Sequence, residues 1–149
     1  MITQKWILYA LSAAMLWGAS YAASGPILRS GMPPLLFYFC YSLFSFCLSL
    51  VMIVTRGKMG SLFEDVCNLG SNAGWFLFSL LAASLGALMT YMAIGEKNAS
   101  LASLIEISYP LFVLLFTWLF FREVELNTMT ATGAFLVISG VSLILWNAR

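Results

Sequence analysis

Five apolar runs, each near the length of a membrane span, constrain this chain more than anything else in it. At 1.5 Å of rise per residue, about 20 helical residues cross the ~30 Å hydrocarbon core of a bilayer. The runs cover about 6–24, 34–55, 74–95, 101–121 and 129–146, with polar turns between them. Of 149 residues, 62% are hydrophobic and only 9% are charged, and the mean hydropathy is +0.95. A soluble domain carries about 25% charged residues to wet its surface. The expected fold is therefore an all-α membrane protein with five transmembrane helices in a single domain, residues 1–149.

What is missing excludes several classes. There is no His, which removes imidazole bases, His metal ligands and any Ser-His-Asp triad, and a net charge of +1 leaves no basic footprint for nucleic acid. The expectation is a protein that is not an enzyme and has no cofactor and no metal. Cys40 and Cys47 lie seven residues apart in one apolar run. Two helix turns hold their Cα atoms ~10 Å apart, too far for a disulfide, so they read as small apolar packing residues. Cys67, in a polar segment, reads as a free thiol.

The first run carries Ala14, Gly18 and Ala22 in a small-residue row, and Ser12, Ser20 and Tyr21 add polar atoms that want a partner. Ala82, Gly86 and Thr90 form a similar row in the third run, and Gly133 and Gly140 share a face of the fifth. Such rows let neighbouring helices approach closely. Ala22-Ala23-Ser24 also resembles a signal-peptide cleavage site, but the apolar run is longer than a usual h-region. Pro33 and Pro34 open the second run, where a missing N–H costs little. Trp6, Trp75 and Trp146 fall at run ends, where indoles favour the headgroup boundary, while Trp17 and Trp118 lie deeper. The long connection from Arg56 to Ala73 has capping-box spacing at Ser61 and Glu64, followed by Leu62, Phe63, Val66 and Leu69 at helical intervals. It reads either as a short helix on the membrane surface or as a plain loop.

Five spans place the termini on opposite faces of the membrane. Lys5, Arg56, Lys58 and Arg122 then share one face, and Arg29, Lys97 and Arg149 the other. Orientation follows an excess of Lys and Arg on the cytoplasmic side. So even a balance leaves two readings open: insertion both ways, or one orientation held by Lys5 and the Arg56/Lys58 pair.

One acid stands apart. Glu106 lies inside the fourth run, whereas the other charged residues lie outside the runs or at their ends. A charge at the centre of a membrane helix costs roughly 2.5–3.5 kcal/mol on insertion scales, so it normally faces a cavity or a partner. In a continuous helix, Ser103, Glu106, Pro110 and Thr117 share a face. Pro110 has no N–H to give the Glu106 carbonyl. A carboxylate, a freed carbonyl and hydroxyls together would suit a proton, a cation or a substrate amine. The other reading is a neutral Glu acting as structural glue. The candidate substrate- or proton-binding residues are Glu106, Ser103, Pro110, Thr117, Trp17, Tyr21 and Tyr91.

These residues resemble one EamA-type repeat of the drug/metabolite transporter superfamily. Trp17-Gly18 late in the first helix, Pro110-Leu111-Phe112 in the fourth, and Phe121-Arg122-Glu123 followed by Gly133-Ala134 and Gly140-Val141 carry the resemblance, which spans essentially the whole chain. Many members carry Arg in the second helix soon after its opening Pro; here that region reads Phe39-Cys40-Tyr41. Glu106 is not carried over from the family, and its role rests on the physical argument. Most members are about twice this length and contain two inverted repeats. The resemblance implies a multi-pass protein of a bacterial-type inner membrane. Its lone unit would pair as an inverted homodimer, antiparallel by preference, with small organic substrates and protons at the interface. The small multidrug resistance family works similarly, but its acid lies in the first helix, where this chain has none. The alternative function is a non-transporting scaffold or accessory subunit in the same bilayer.

Overall fold

A computed structural model describes residues 5–122 and 127–147. Among the described residues, five segments are long and apolar enough to cross a membrane. Helix α1 spans Lys5–Arg29, α2 Pro34–Thr55, α3 Leu62–Cys67 and α4 Ala73–Glu96. The fourth span is made of two helices, α5 (Ala99–Glu106) and α6 (Tyr109–Phe121), and α7 (Thr128–Asn147) is the fifth. Among the described residues there is no strand.

Helix ends follow local chemistry. Gly31, at φ +101°, supplies the left-handed residue of the α1–α2 turn, and Pro34 then starts α2 behind Pro33. Asn98 caps α5 by accepting the Leu101 N–H at 2.8 Å, and Asn127 caps α7 by accepting the Thr130 N–H at 2.8 Å. Arg122 closes α6 in the left-handed conformation, φ 58°, with its N–H on the Trp118 carbonyl. Its guanidinium sits 4.9 Å over the Trp118 ring. Glu123 lies outside the described residues.

Helix α1 runs straight through Ala22-Ala23-Ser24 and carries Pro26 in its final turns. Ser24 and Gly25 are buried there, while Ala22 and Ala23 are exposed. The connection after α2 does contain a short helix, α3. It is not capped as its spacing suggests: the Ser61 hydroxyl makes no cap bond and donates instead to Asp65 Oδ2 at 3.1 Å.

The buried core is small and lies towards one face of the membrane. Leu28 of α1 packs with Tyr91 and Ile94 of α4, flanked by Phe37, Tyr38 and Tyr41 of α2 and by Ala99 and Ala102 of α5. These residues cluster at the C-terminal ends of α1 and α4 and the N-terminal ends of α2 and α5. Lipid is as apolar as the side chains, so close packing holds helices together where hydrophobic transfer does not. The close approaches are made by glycines. A Cβ on Gly25 would lie 3.5 Å from Ala99 Cβ, and one on Gly95 would lie 3.4 Å from Pro34 Cγ. At the opposite face, Trp75 near the start of α4 meets Phe120 and Phe121 at the end of α6, with ring centroids 5.4 and 5.0 Å apart.

The small-residue rows named from the sequence do not serve this packing. A Cβ on Gly18, Gly133 or Gly140 would meet nothing within 4 Å among the described residues, and Gly18 borders a cavity instead. Cys40 and Cys47 are likewise exposed, as is Cys67, and all three are free thiols.

Candidate functional site

The fourth span breaks at Ile107–Ser108, between α5 and α6. Pro110 sits in the first turn of α6. A proline disfavours helical backbone in the residue before it and cannot bond the carbonyl four residues back. The chain turns with shorter bonds instead. The Ser108 N–H reaches the Ile105 carbonyl at 3.1 Å, the Leu111 N–H reaches the Ser108 carbonyl at 3.0 Å, and the Ser108 hydroxyl donates to the Ile105 carbonyl at 2.8 Å. Glu106 is therefore the last residue of α5, directly before the break.

Across from it stands Tyr21 of α1. The Tyr21 hydroxyl donates to Glu106 Oε1 at 2.9 Å, joining residues 85 positions apart. Their depths match for a geometric reason. Tyr21 precedes the end of α1, at Arg29, by about 12 Å of helical rise. Glu106 follows the start of α5, at Ala99, by about 10 Å. Both ends lie on the same face, so the two side chains meet about a third of the way into the ~30 Å core. Both are partly buried.

The pair borders an open cavity of about 660 Å³. Trp17, Gly18 and alanines of α1 form one wall, Ala83, Gly86 and Ala87 of α4 a second, and Ser103, Glu106, Ile107 and Tyr109 a third. Trp17 leans on Tyr21, with centroids 5.4 Å apart and planes 46° apart, and on Tyr41 at 6.3 Å. The Ser103 hydroxyl donates to the Ser100 carbonyl at 3.0 Å.

Of the seven residues singled out from the sequence, Trp17, Tyr21, Ser103 and Glu106 line this one cavity. Tyr91 does not. It is 1% exposed and packs on Phe37 at 4.8 Å and on Tyr41 at 5.8 Å. Its buried hydroxyl has no hydrogen-bond partner among the described residues. Pro110 and Thr117 are also absent from the lining. The expectation that Ser103, Glu106, Pro110 and Thr117 share one face assumed a continuous helix; the structure has two helices there, and of the four only Ser103 and Glu106 line the cavity. Sequence reasoning missed Tyr109 and the wall alanines. Tyr109 stands next to Pro110, and reading the proline as a helix start would have exposed it. The alanines carried no signal beyond helical spacing. Among the described residues, no group of three His, Cys, Asp or Glu side chains is placed to hold a metal ion.

Residues 4–146 match the sequence model of the EamA-like transporter family. No curated protein and no solved structure gives a significant match to the chain.

Proposed function

Because the chain belongs to the EamA-like transporter family, we propose that it is a secondary-active transporter of small organic metabolites or drugs, coupled to protons through Glu106 and working as a homodimer. Family membership makes it a multi-pass membrane protein of the drug/metabolite transporter superfamily. The observation that carries the finer reading is the Tyr21–Glu106 bond on the wall of a cavity. An intramembrane carboxylate that merely glued helices together would be enclosed by its partners. Glu106 keeps one side on Tyr21 and another on open space large enough for an organic molecule. A proton and a substrate competing for this one group would give coupled exchange.

Two features support the homodimer. The cavity is walled by α1, α4 and the α5–α6 break but open elsewhere, and the Gly133/Gly140 row is exposed on the single chain. An odd number of spans turns a second unit upside down in a tandem repeat, and an antiparallel pair of chains reproduces that arrangement. We place this pair in a cell membrane of the bacterial inner-membrane type.

The test is reconstitution into liposomes containing an entrapped pH dye, followed by a panel of small organic amines under an imposed proton gradient. The wild type should move protons only when a substrate is added, and Glu106→Gln should fold and dimerise yet move none. Proton movement by Glu106→Gln equal to that of the parent contradicts the coupling role. A wild-type dimer inert to every compound favours the scaffold reading.

A further inference from the structure

We infer that the cavity selects organic cations of single positive charge, holding an ammonium group on Glu106 and an apolar or aromatic body against Trp17. This substrate class rests on reading the cavity as the transport site.

The sign of the charge follows from the walls. Among the described residues, Glu106 is the only charged one that lines the cavity. The other titratable groups on the cavity wall are the phenols of Tyr21 on α1 and Tyr109 on α6, and Tyr21 packs against the core cluster that holds Tyr91 of α4. The basic residues of the described chain lie at or beyond the span ends: Lys5, Arg29, Arg56, Lys58, Lys97 and Arg122. An organic anion would approach a carboxylate with no cation at that depth, in a medium where Coulomb repulsion is weakly screened. A second copy of the chain would bring walls of the same composition and would not change the sign.

Hydrogen bonding gives the donor. An ionised carboxylate offers about four lone-pair positions. Tyr21 occupies one on Oε1, which fixes the carboxylate and leaves capacity for an N–H donor from the cavity. Tyr21 is thus a positioning residue. The body of the ligand is set by the remaining walls. Trp17 is 42% exposed and Tyr109 61% exposed, so both rings offer surface to a ligand. A cation within about 6 Å of an indole face gains further attraction. The alanines and glycines of α1 and α4 offer little beyond contact and space. They impose no directional requirement on the rest of the molecule.

The test uses one carbon skeleton in three charge states: 4-phenylbutylamine, 4-phenylbutanol and 4-phenylbutyrate. Binding to the purified dimer is measured by equilibrium dialysis near neutral pH. The amine should bind at least about tenfold tighter than the alcohol, about 1.4 kcal/mol, and the carboxylate should bind more weakly than the alcohol. Equal affinities in the wild type, or a preference for the carboxylate, overturn the inference without any variant having to fold. In Glu106→Gln the preference for the amine should collapse, and its survival would also overturn the inference. Trp17→Ala should weaken the amine about tenfold, with Trp17→Phe restoring it; unchanged affinity in Trp17→Ala removes the indole from the site. Failure here is separable from failure of the transport reading. Amine-selective binding without any amine-driven proton movement sinks transport and leaves the site. Proton movement driven by the alcohol or the carboxylate, with no amine preference, does the reverse.

Discussion

Deleting a single hydroxyl from Tyr21 or from Tyr91 is the same chemical change in two environments, and it should give different results. In Tyr21→Phe the lost group donates at 2.9 Å to a carboxylate oxygen. Hydrogen bonds to charged groups contribute about 1.5–3 kcal/mol. Both partners are only partly buried, so the lower end, about 1.5 kcal/mol, applies. For a chain of this size, each kcal/mol shifts the melting temperature by about 2–4 °C, giving a fall of about 3–6 °C. In Tyr91→Phe the lost hydroxyl is buried and has no partner among the described residues. The ring contacts with Phe37 and Tyr41 remain. Leaving a polar group buried and unpaired costs about 1–3 kcal/mol, so Tyr91→Phe should melt at the parental temperature or a few degrees higher. Thermal unfolding of the two variants in one mild detergent decides the matter. If Tyr91→Phe loses as much as Tyr21→Phe, the Tyr91 hydroxyl has a partner and the reasoning fails.

Three further outcomes are expected. Gly25→Leu should destabilise the protomer by about 1–3 kcal/mol through overpacking, because Ala99 Cβ lies 3.5 Å from the position a Cβ would take; an unchanged melting temperature would contradict the close approach of α1 and α5. A Cβ on Gly140 would meet nothing within 4 Å among the described residues, so Gly140→Leu should leave a folded monomer and weaken the proposed dimer, which mass measurement in mild detergent would detect. Two lysines added between α1 and α2 should shift the orientation of a near-balanced chain, read by reporter fusions at both termini; a single unmovable orientation with a monomeric mass would exclude the antiparallel pair.

The spans were legible because each apolar run is long and its boundaries are polar, which is a signal of composition and needs no tertiary information. Glu106 was legible for a related reason: a lone acid in an apolar run is costly and stands out. Its partner was not. Tyr21 lies 85 positions away, and only the packing of α1 against α5 brings the two together. Pro110 was noticed for the carbonyl it cannot bond, and it also stands in the first turn of α6, just after α5 ends at Glu106. Tyr91 looked like a site residue by type and depth, yet the convergence of α2 and α4 encloses it. The small-residue rows signal close approach without saying to what. Gly25 and Gly95, outside the rows named, make the contacts inside the chain.

The central claim is that proton and substrate occupy one carboxylate, and proton release on binding tests it most directly. In weakly buffered solution at a series of pH values, 4-phenylbutylamine added to the purified protein should displace up to about one proton per Glu106 that it occupies, as linkage requires for a shared site. Glu106→Gln should release none. Saturable binding of the amine to the wild type with no proton released at every pH where the fold is intact would contradict the account.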